Sequence, residues 1–264
     1  MSEQRRRLKM RKWGIVLVIL CIGLASIPAG AAPGDLLQTF LNPLPSDYAY
    51  FGWPVVNAGS SFLVGAHGNN TGAQYSGAVY EFNGSGGEPF RTFLNPTPHY
   101  GDGFGFAVAS TDSRIVIVAP WANDGTGYIF DKSTGNLTQT FHNPTPSSGG
   151  MGDYFGCSMA AIGNKVLVGA PYDDTWGTGA GAAYLFNSDT GELLHTFQPF
   201  CVEGFFGSSA AMTADAAFVG ATWDNTGGDY AGAVHMSHSS PFRISRTSLS
   251  KQRKNWQKTE SVQK

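Results

Sequence analysis

Basic side chains are scarce where this chain is most regular. Between residues 32 and 242 it has four, Arg91, Arg114, Lys132 and Lys165, against seventeen Asp and Glu, a net charge of −13. A surface of that sign repels phosphate backbones, so nucleic acid is not an expected partner and the aromatic residues do not read as base-stacking platforms. The other basic residues lie at the ends, six before residue 32 and seven from Arg243 onward. Cysteine is scarce too, with only Cys21, Cys157 and Cys201. None sits in a metal-type Cys-x-x-Cys spacing, and the last two are either a disulfide pair or two small buried hydrophobes. Catalytic signatures are missing: there is no Gly-x-Ser-x-Gly, no His-Glu-x-x-His and no P-loop, and the six histidines fall at unrelated positions. Gly101-Asp102-Gly103-Phe104-Gly105 resembles a phosphate loop only superficially, because it opens a strand rather than a helix.

The N-terminus has the form of a secretory signal. Basic residues from Arg5 to Lys12 precede an apolar run from Gly14 to Ile27, and Ala29-Gly30-Ala31 supplies a small-x-small cleavage site. The run has 14 residues, short of the ~20 a spanning helix needs. Cleavage after Ala31 and a secreted or cell-surface location are therefore expected, with membrane attachment only if the segment is retained. Cys21 is no lipobox cysteine, since Leu20 stands where a small residue belongs. Asn69, Asn83 and Asn136 each open an Asn-x-Ser/Thr sequon in a Gly-rich turn segment.

What is abundant is glycine, 35 residues, and it is periodic. Phe-Gly pairs begin at Phe51, Phe104, Phe155 and Phe206, at intervals of 53, 51 and 51, and each is followed 15 positions later by an alanine ending an apolar run: Ala66, Ala119, Ala170 and Ala221. Such a period indicates a solenoid, propeller or array. Each unit reads as four short strands. A half-apolar run follows Phe-Gly, and a tight turn leads to a β-rich run such as Ile115 to Val118 or Val166-Leu167-Val168. A Gly/Asn/Asp loop precedes a third strand marked by Tyr80, Tyr128, Tyr184 or His235, and a fourth ends at Thr92-Phe93, Thr140-Phe141 or Thr196-Phe197. No segment of the body has a helical period. Four antiparallel strands per unit make a β-propeller blade, which hides its apolar faces by stacking on its neighbours.

Phe155-Gly156 through Gly169-Ala170-Pro171, preceded by Gly152-Asp153 and followed by Gly181-Ala182-Ala183-Tyr184-Leu185-Phe186, resembles the FG-GAP repeat. That repeat is found in secreted bacterial and archaeal proteins and in the integrin α-subunit propeller. The resemblance covers Asp35 to about Val234, although His67 and Thr222 replace the proline in copies one and four and Val118 replaces the glycine in copy two. It implies an all-β propeller; the four copies make four blades, and the export signal, the acidic body and the missing catalytic signatures make a non-catalytic adhesion or binding role the expected function. Integrin-type relatives hold Ca2+ in Asp-x-Asp-x-Asp-Gly loops; no such string occurs here. No cofactor is expected, beyond weak Ca2+ association at an oxygen-rich pair such as Asp173-Asp174.

The expected organisation is a signal over 1–31, a propeller over 32–236 and a disordered basic tail over 237–264, unless the tail is a degenerate end of the reading frame. The fourth repeat has no Thr-Phe of its own, whereas Leu36 to Phe40 copies a fourth strand. This N-terminal strand is expected to close the last blade and remove an open sheet edge. Relatives more often form larger rings, so a longer propeller or a second copy is the alternative.

Equivalent propeller loops share one face. The loop beyond each Gly-Ala carries Trp121, Tyr172 and Trp223, with Asn69-Asn70, Asn123-Asp124, Asp173-Asp174 and Asp224-Asn225 beside them. Trp121, Asp124, Tyr172, Asp173, Asp174, Trp223, Asp224 and Asn225 are the candidate ligand-binding residues, because flat apolar faces and directional acceptors there suit a glycan or protein ligand. The competing reading makes the Asx residues turn formers and the aromatics covers for blade edges. A polysaccharide hydrolase using Asp102 and Asp153, each two before Phe-Gly, is the alternative function, with a degenerate repeat protein as a third.

Overall fold

The computed structural model describes residues 32–84, 86–147, 152–199 and 202–238. The expected signal, Cys201 with its pairing to Cys157, and most of the expected tail lie outside the described residues.

The described chain is all-β apart from one 3-10 turn at Ala122–Asp124. It forms four antiparallel sheets in sequence order, the blades expected from the repeat. The first is β1 (Val55–Asn57), β2 (Ser61–Ala66), β3 (Ala78–Asn83) and β4 (Arg91–Leu94). The second is β5 (Ala107–Ser110), β6 (Arg114–Ala119), β7 (Thr126–Asp131) and β8 (Leu137–His142). The third is β9 (Ser158–Ile162), β10 (Lys165–Ala170), β11 (Ala182–Asn187) and β12 (Leu193–Phe197). The last has three strands, β13 (Phe206–Met212), β14 (Ala216–Ala221) and β15 (Ala233–His238).

Strand alternation explains the stacking. Along β6, Ile115 and Ile117 face the first blade, meeting Leu63, Val79 and Phe93, while Val116 and Val118 face the third, meeting Phe155, Val166 and Val168. Successive side chains of a strand point to opposite faces, so an apolar run without alternation is what a strand between two neighbours needs. Phe104, Phe155 and Phe206 are buried between blades, each contributing about 1.5–3 kcal/mol. Close approach sets the Gly-Ala glycine: a Cβ on Gly169 would overlap the carbonyl oxygen of Gly207 in the next blade.

Among the described residues the ring is not closed, and Leu36 to Phe40 does not complete the last blade. Residues 36–40 form no strand, and the last sheet keeps three. The reason lies in the Phe40 ring, which packs against Phe62 at 4.9 Å and Phe82 at 5.2 Å on the first blade. Phe93 meets Phe130 at 5.0 Å and Phe141 meets Phe186 at 4.4 Å in the same way. The segment thus sits where the outer strand of a preceding blade would end, held by the face of β2 and β3. On the last sheet, Val234 and Met236 of β15 remain 71% and 67% exposed.

Candidate functional site: an aromatic face

The turn entering each Phe-Gly has one backbone shape in all four blades. Residues three and one before the Phe are left-handed: Tyr48 and Tyr50 (φ 59° and 53°), Gly101 and Gly103 (77° and 68°), Gly152 and Tyr154 (64° and 52°), Glu203 and Phe205 (58° and 50°). The residue between them turns its carbonyl toward the Gly-Ala loop. Ala49, Asp102, Asp153 and Gly204 accept hydrogen bonds from the backbone N–H groups of Gly68, Trp121, Tyr172 and Trp223 at 3.2, 3.4, 3.2 and 3.2 Å. One bond thereby ties the two turns together in every blade and sets their side chains next to each other.

The outcome is a continuous row of rings. Tyr48 neighbours Tyr50, which stacks on His67 at 4.9 Å; His67 meets Phe106 at 5.2 Å, and Phe106 meets Trp121 at 5.3 Å. Trp121 reaches Tyr154 at 6.2 Å, Tyr154 reaches Tyr172 at 4.9 Å, and Tyr172 reaches Phe205 at 4.9 Å. Phe205 meets Trp223 at 4.7 Å, and Trp223 meets Tyr230 at 5.3 Å. These spacings lie in the favourable range for aromatic pairs, 4.5–7 Å. Trp121, Tyr172 and Trp223 are 40–49% exposed, so the row is open to solvent.

Strain accompanies the row. A side chain in left-handed backbone costs about 1–2 kcal/mol, which glycine avoids. The second blade has glycine in both slots, and a Cβ on Gly103 would overlap the Trp121 ring. The other three blades place Tyr50, Tyr154 and Phe205 there.

The acidic candidates divide. Asp173 and Asp224 are fully buried and hold the loop to the third strand. Asp173 accepts from the Tyr184 hydroxyl, from Thr145 Oγ1 at 2.8 Å and from the Thr175 N–H at 2.9 Å. Burial, and then that bond to Asp173, pushes the Tyr184 phenol far above its ordinary pKa. Asp224 pairs with His235 Nε2 at 3.1 Å and accepts from the Thr226 N–H at 2.8 Å. Asn69 takes the corresponding place in the first blade, its Nδ2 donating to the Tyr80 hydroxyl at 3.1 Å. It is buried and committed, so its sequon is unfit to carry a glycan, while Asn83 and Asn136 are exposed.

Asp124, Asp174 and Asn225 are exposed beside the row. Asp174 accepts from the Gly179 N–H at 2.6 Å and Asn225 from the Tyr230 N–H at 2.7 Å, so both also shape their loops. Asp102 accepts from Asn95 Nδ2 and from the His99 N–H, each at 2.7 Å. Asp153 accepts from Asn143 Nδ2 at 2.5 Å and from the Ser147 N–H at 3.2 Å, and burial raises its pKa. Among the described residues, no three His, Cys, Asp or Glu side chains cluster as a metal site requires.

The structure therefore brings Trp121, Tyr172 and Trp223 onto one surface and turns Asp173 and Asp224 away from it. Sequence reasoning missed Tyr50, His67, Phe106, Tyr154 and Phe205. An available signal was the aromatic residue immediately before Phe-Gly in three of four copies. Two of the hollows among the described residues interrupt the face. One, of about 490 Å3, is lined by Tyr48, Tyr50, His67, Gly68, Tyr75, Gly101 and Trp121. The other, of about 730 Å3, includes Asp153, Tyr172, Asp174 and Phe205.

Residues 144–186, which include the third Phe-Gly to Gly-Ala unit, match the family model of the FG-GAP repeat. No curated protein matches the chain. Among solved structures it is similar to the computationally designed Ika4 protein, at 16% identity and a TM-score of 0.49, over 76% of this chain and 98% of that one. It is also similar to BamB from Moraxella catarrhalis, at 13% identity and a TM-score of 0.45, over 70% of this chain and 49% of that one. The computationally designed Ika8 protein aligns at 17% identity and a TM-score of 0.42, over 70% of this chain and 44% of that one.

Proposed function

We propose that this β-propeller module is an exported, non-catalytic binding protein that takes a glycan or protein ligand in the extracellular space or at the cell surface. The observation that carries the reading is the row of rings crossing all four blades, held in part by strained backbone. Exposed aromatics kept at a conformational cost fit a surface that earns its stability from a ligand. The signal-like N-terminus supports export. Asp102 fits a role without turnover, since its buried carboxylate accepts from Asn95 and from the His99 N–H and so fixes a turn. Neither a cofactor nor nucleic acid enters this reading.

The test is retention of the protein on envelope extract of the producing cells, with export followed in the same cultures. Binding by the parent and loss in a Trp121→Ala/Tyr172→Ala/Trp223→Ala variant is the expected pair of results. Equal retention of both would remove the aromatic face from consideration, and an intracellular protein with its N-terminus intact would remove export.

A further inference from the structure

We propose that the hollow between the first and second blades is a subsite for one uncharged pyranose ring of a neutral oligosaccharide. The inference rests on the reading of the aromatic face as a binding surface and narrows it to one place and one ligand class.

Three tyrosines line this hollow, and all three have left-handed backbone: Tyr48, Tyr50 and Tyr75, with φ of 59°, 53° and 57°. Tyr48 and Tyr50 are also 68% and 57% exposed, so burial does not offset their strain. The turn itself does not need them, because the second blade makes the same turn with Gly101 and Gly103. Their side chains are therefore kept for what they present.

What they present suits a sugar ring. One face of Tyr50 lies on His67, the two planes within 2° of parallel, and the residue stays 57% exposed. Trp121 supplies a second apolar ring in the lining. A pyranose offers a flat C–H face and a rim of hydroxyls, matched by an aromatic plane flanked by phenols that both donate and accept. No Lys, Arg, Asp or Glu lines the hollow, so nothing there selects a charged sugar or phosphate. Burial also lowers the pKa of His67, which keeps the imidazole neutral near pH 7. The volume, about 490 Å3, falls within the range of small-molecule sites. The hollow nearer the third and fourth blades differs, since Asp153 and Asp174 border it.

The experiment is titration calorimetry of the full chain with cellohexaose, xylohexaose, mannohexaose and chitohexaose, and with tetramethylammonium chloride. At least one hexasaccharide is expected to bind, with an affinity insensitive to salt because no ion pair forms. Tyr50→Ala and Tyr48→Gly are each expected to weaken it about tenfold or more, while Asp112→Asn, exposed in the turn between β5 and β6, stays within about twofold. Tyr48→Gly puts glycine into a slot that favours it, so its thermal unfolding should match the parent. That variant decides the question should Tyr50→Ala fold poorly. The proposal is overturned if none of the four sugars binds, or if only tetramethylammonium binds, which would make the hollow a cation cage. It is also overturned if sugar binding ignores Tyr48 and Tyr50; the broader reading would then stand. The broader reading falls separately if retention on envelope extract survives the triple aromatic variant.

Discussion

His67 and Tyr50 lie face to face, ring centroids 4.9 Å apart and planes 2° from parallel. The contact joins the turn before the first Phe-Gly to the loop after the first Gly-Ala, where His67 is half-buried. Burial is the largest influence on His67 and lowers its pKa below 6.5, against a weaker raising effect from a backbone hydrogen bond with Trp53.

A pH dependence follows with a definite sign. Below 6.5 the unfolded chain takes up a proton that folded His67 resists, so stability is fully present above that pH. It declines as pH falls from 6.5 toward the lower pKa of the folded state. Thermal unfolding between pH 8 and pH 5 should show this decline in the parent relative to His67→Phe, the comparison cancelling titration elsewhere. A constant difference across the range would contradict the burial argument.

Gly169 should tolerate almost nothing larger. Its Cβ would overlap the Gly207 carbonyl, a backbone atom that cannot swing aside. Gly169→Val is expected to cost more than about 3 kcal/mol by denaturant unfolding. Gly163→Ala, at φ 57° with open space around it, should cost about 1 kcal/mol through backbone strain alone. Exposed Asp112→Asn should stay within about 0.5 kcal/mol.

Asp173→Ala should destabilise by about 2–4 kcal/mol, because the Thr175 N–H loses its acceptor and the Tyr184 and Thr145 hydroxyls are left only with each other in a buried site. Asp124→Asn, exposed on the same face at φ 60° where Asn is as well tolerated as Asp, should change stability by less than about 0.5 kcal/mol. Comparable losses in both would mean that the inward and outward carboxylates are not distinguished as described.

Much of this was legible in the sequence for a simple reason. Phe-Gly and Gly-Ala mark positions where one residue type is nearly forced, so the blade frame from Phe155 to Ala170 repeats visibly. The strand runs Ile115 to Val118 and Val166 to Val168 announce burial on both faces. The buried roles of Asp173 and Asp224 were not legible, since an Asx turn and an exposed acceptor have the same sequence. Nor was the attachment of Phe40 to the first blade, because the motif Thr39-Phe40 fixes a strand type but not the sheet it joins. The partners of Trp121 were hidden by substitution: Gly103 vacates the slot that Tyr154 and Phe205 fill, and Phe106 approaches from another position.

The open ring makes its own prediction. Val234 and Met236 face solvent on the last sheet, so replacing either by Lys should alter stability by less than about 0.5 kcal/mol. Phe40→Ala, which removes the contacts to Phe62 and Phe82, should cost about 2 kcal/mol. A loss of several kcal/mol for Met236→Lys in thermal unfolding would mean that this face is covered.

The aromatic row is the centre of the account, and a glycan array tests it most directly. Parent protein and the Trp121→Ala/Tyr172→Ala/Trp223→Ala variant would be applied to the same neutral and acidic glycans, with near-ultraviolet circular dichroism confirming that both are folded. Saturable binding by the parent to neutral glycans, lost in the variant, is the predicted result. Binding of equal strength by both proteins would contradict it.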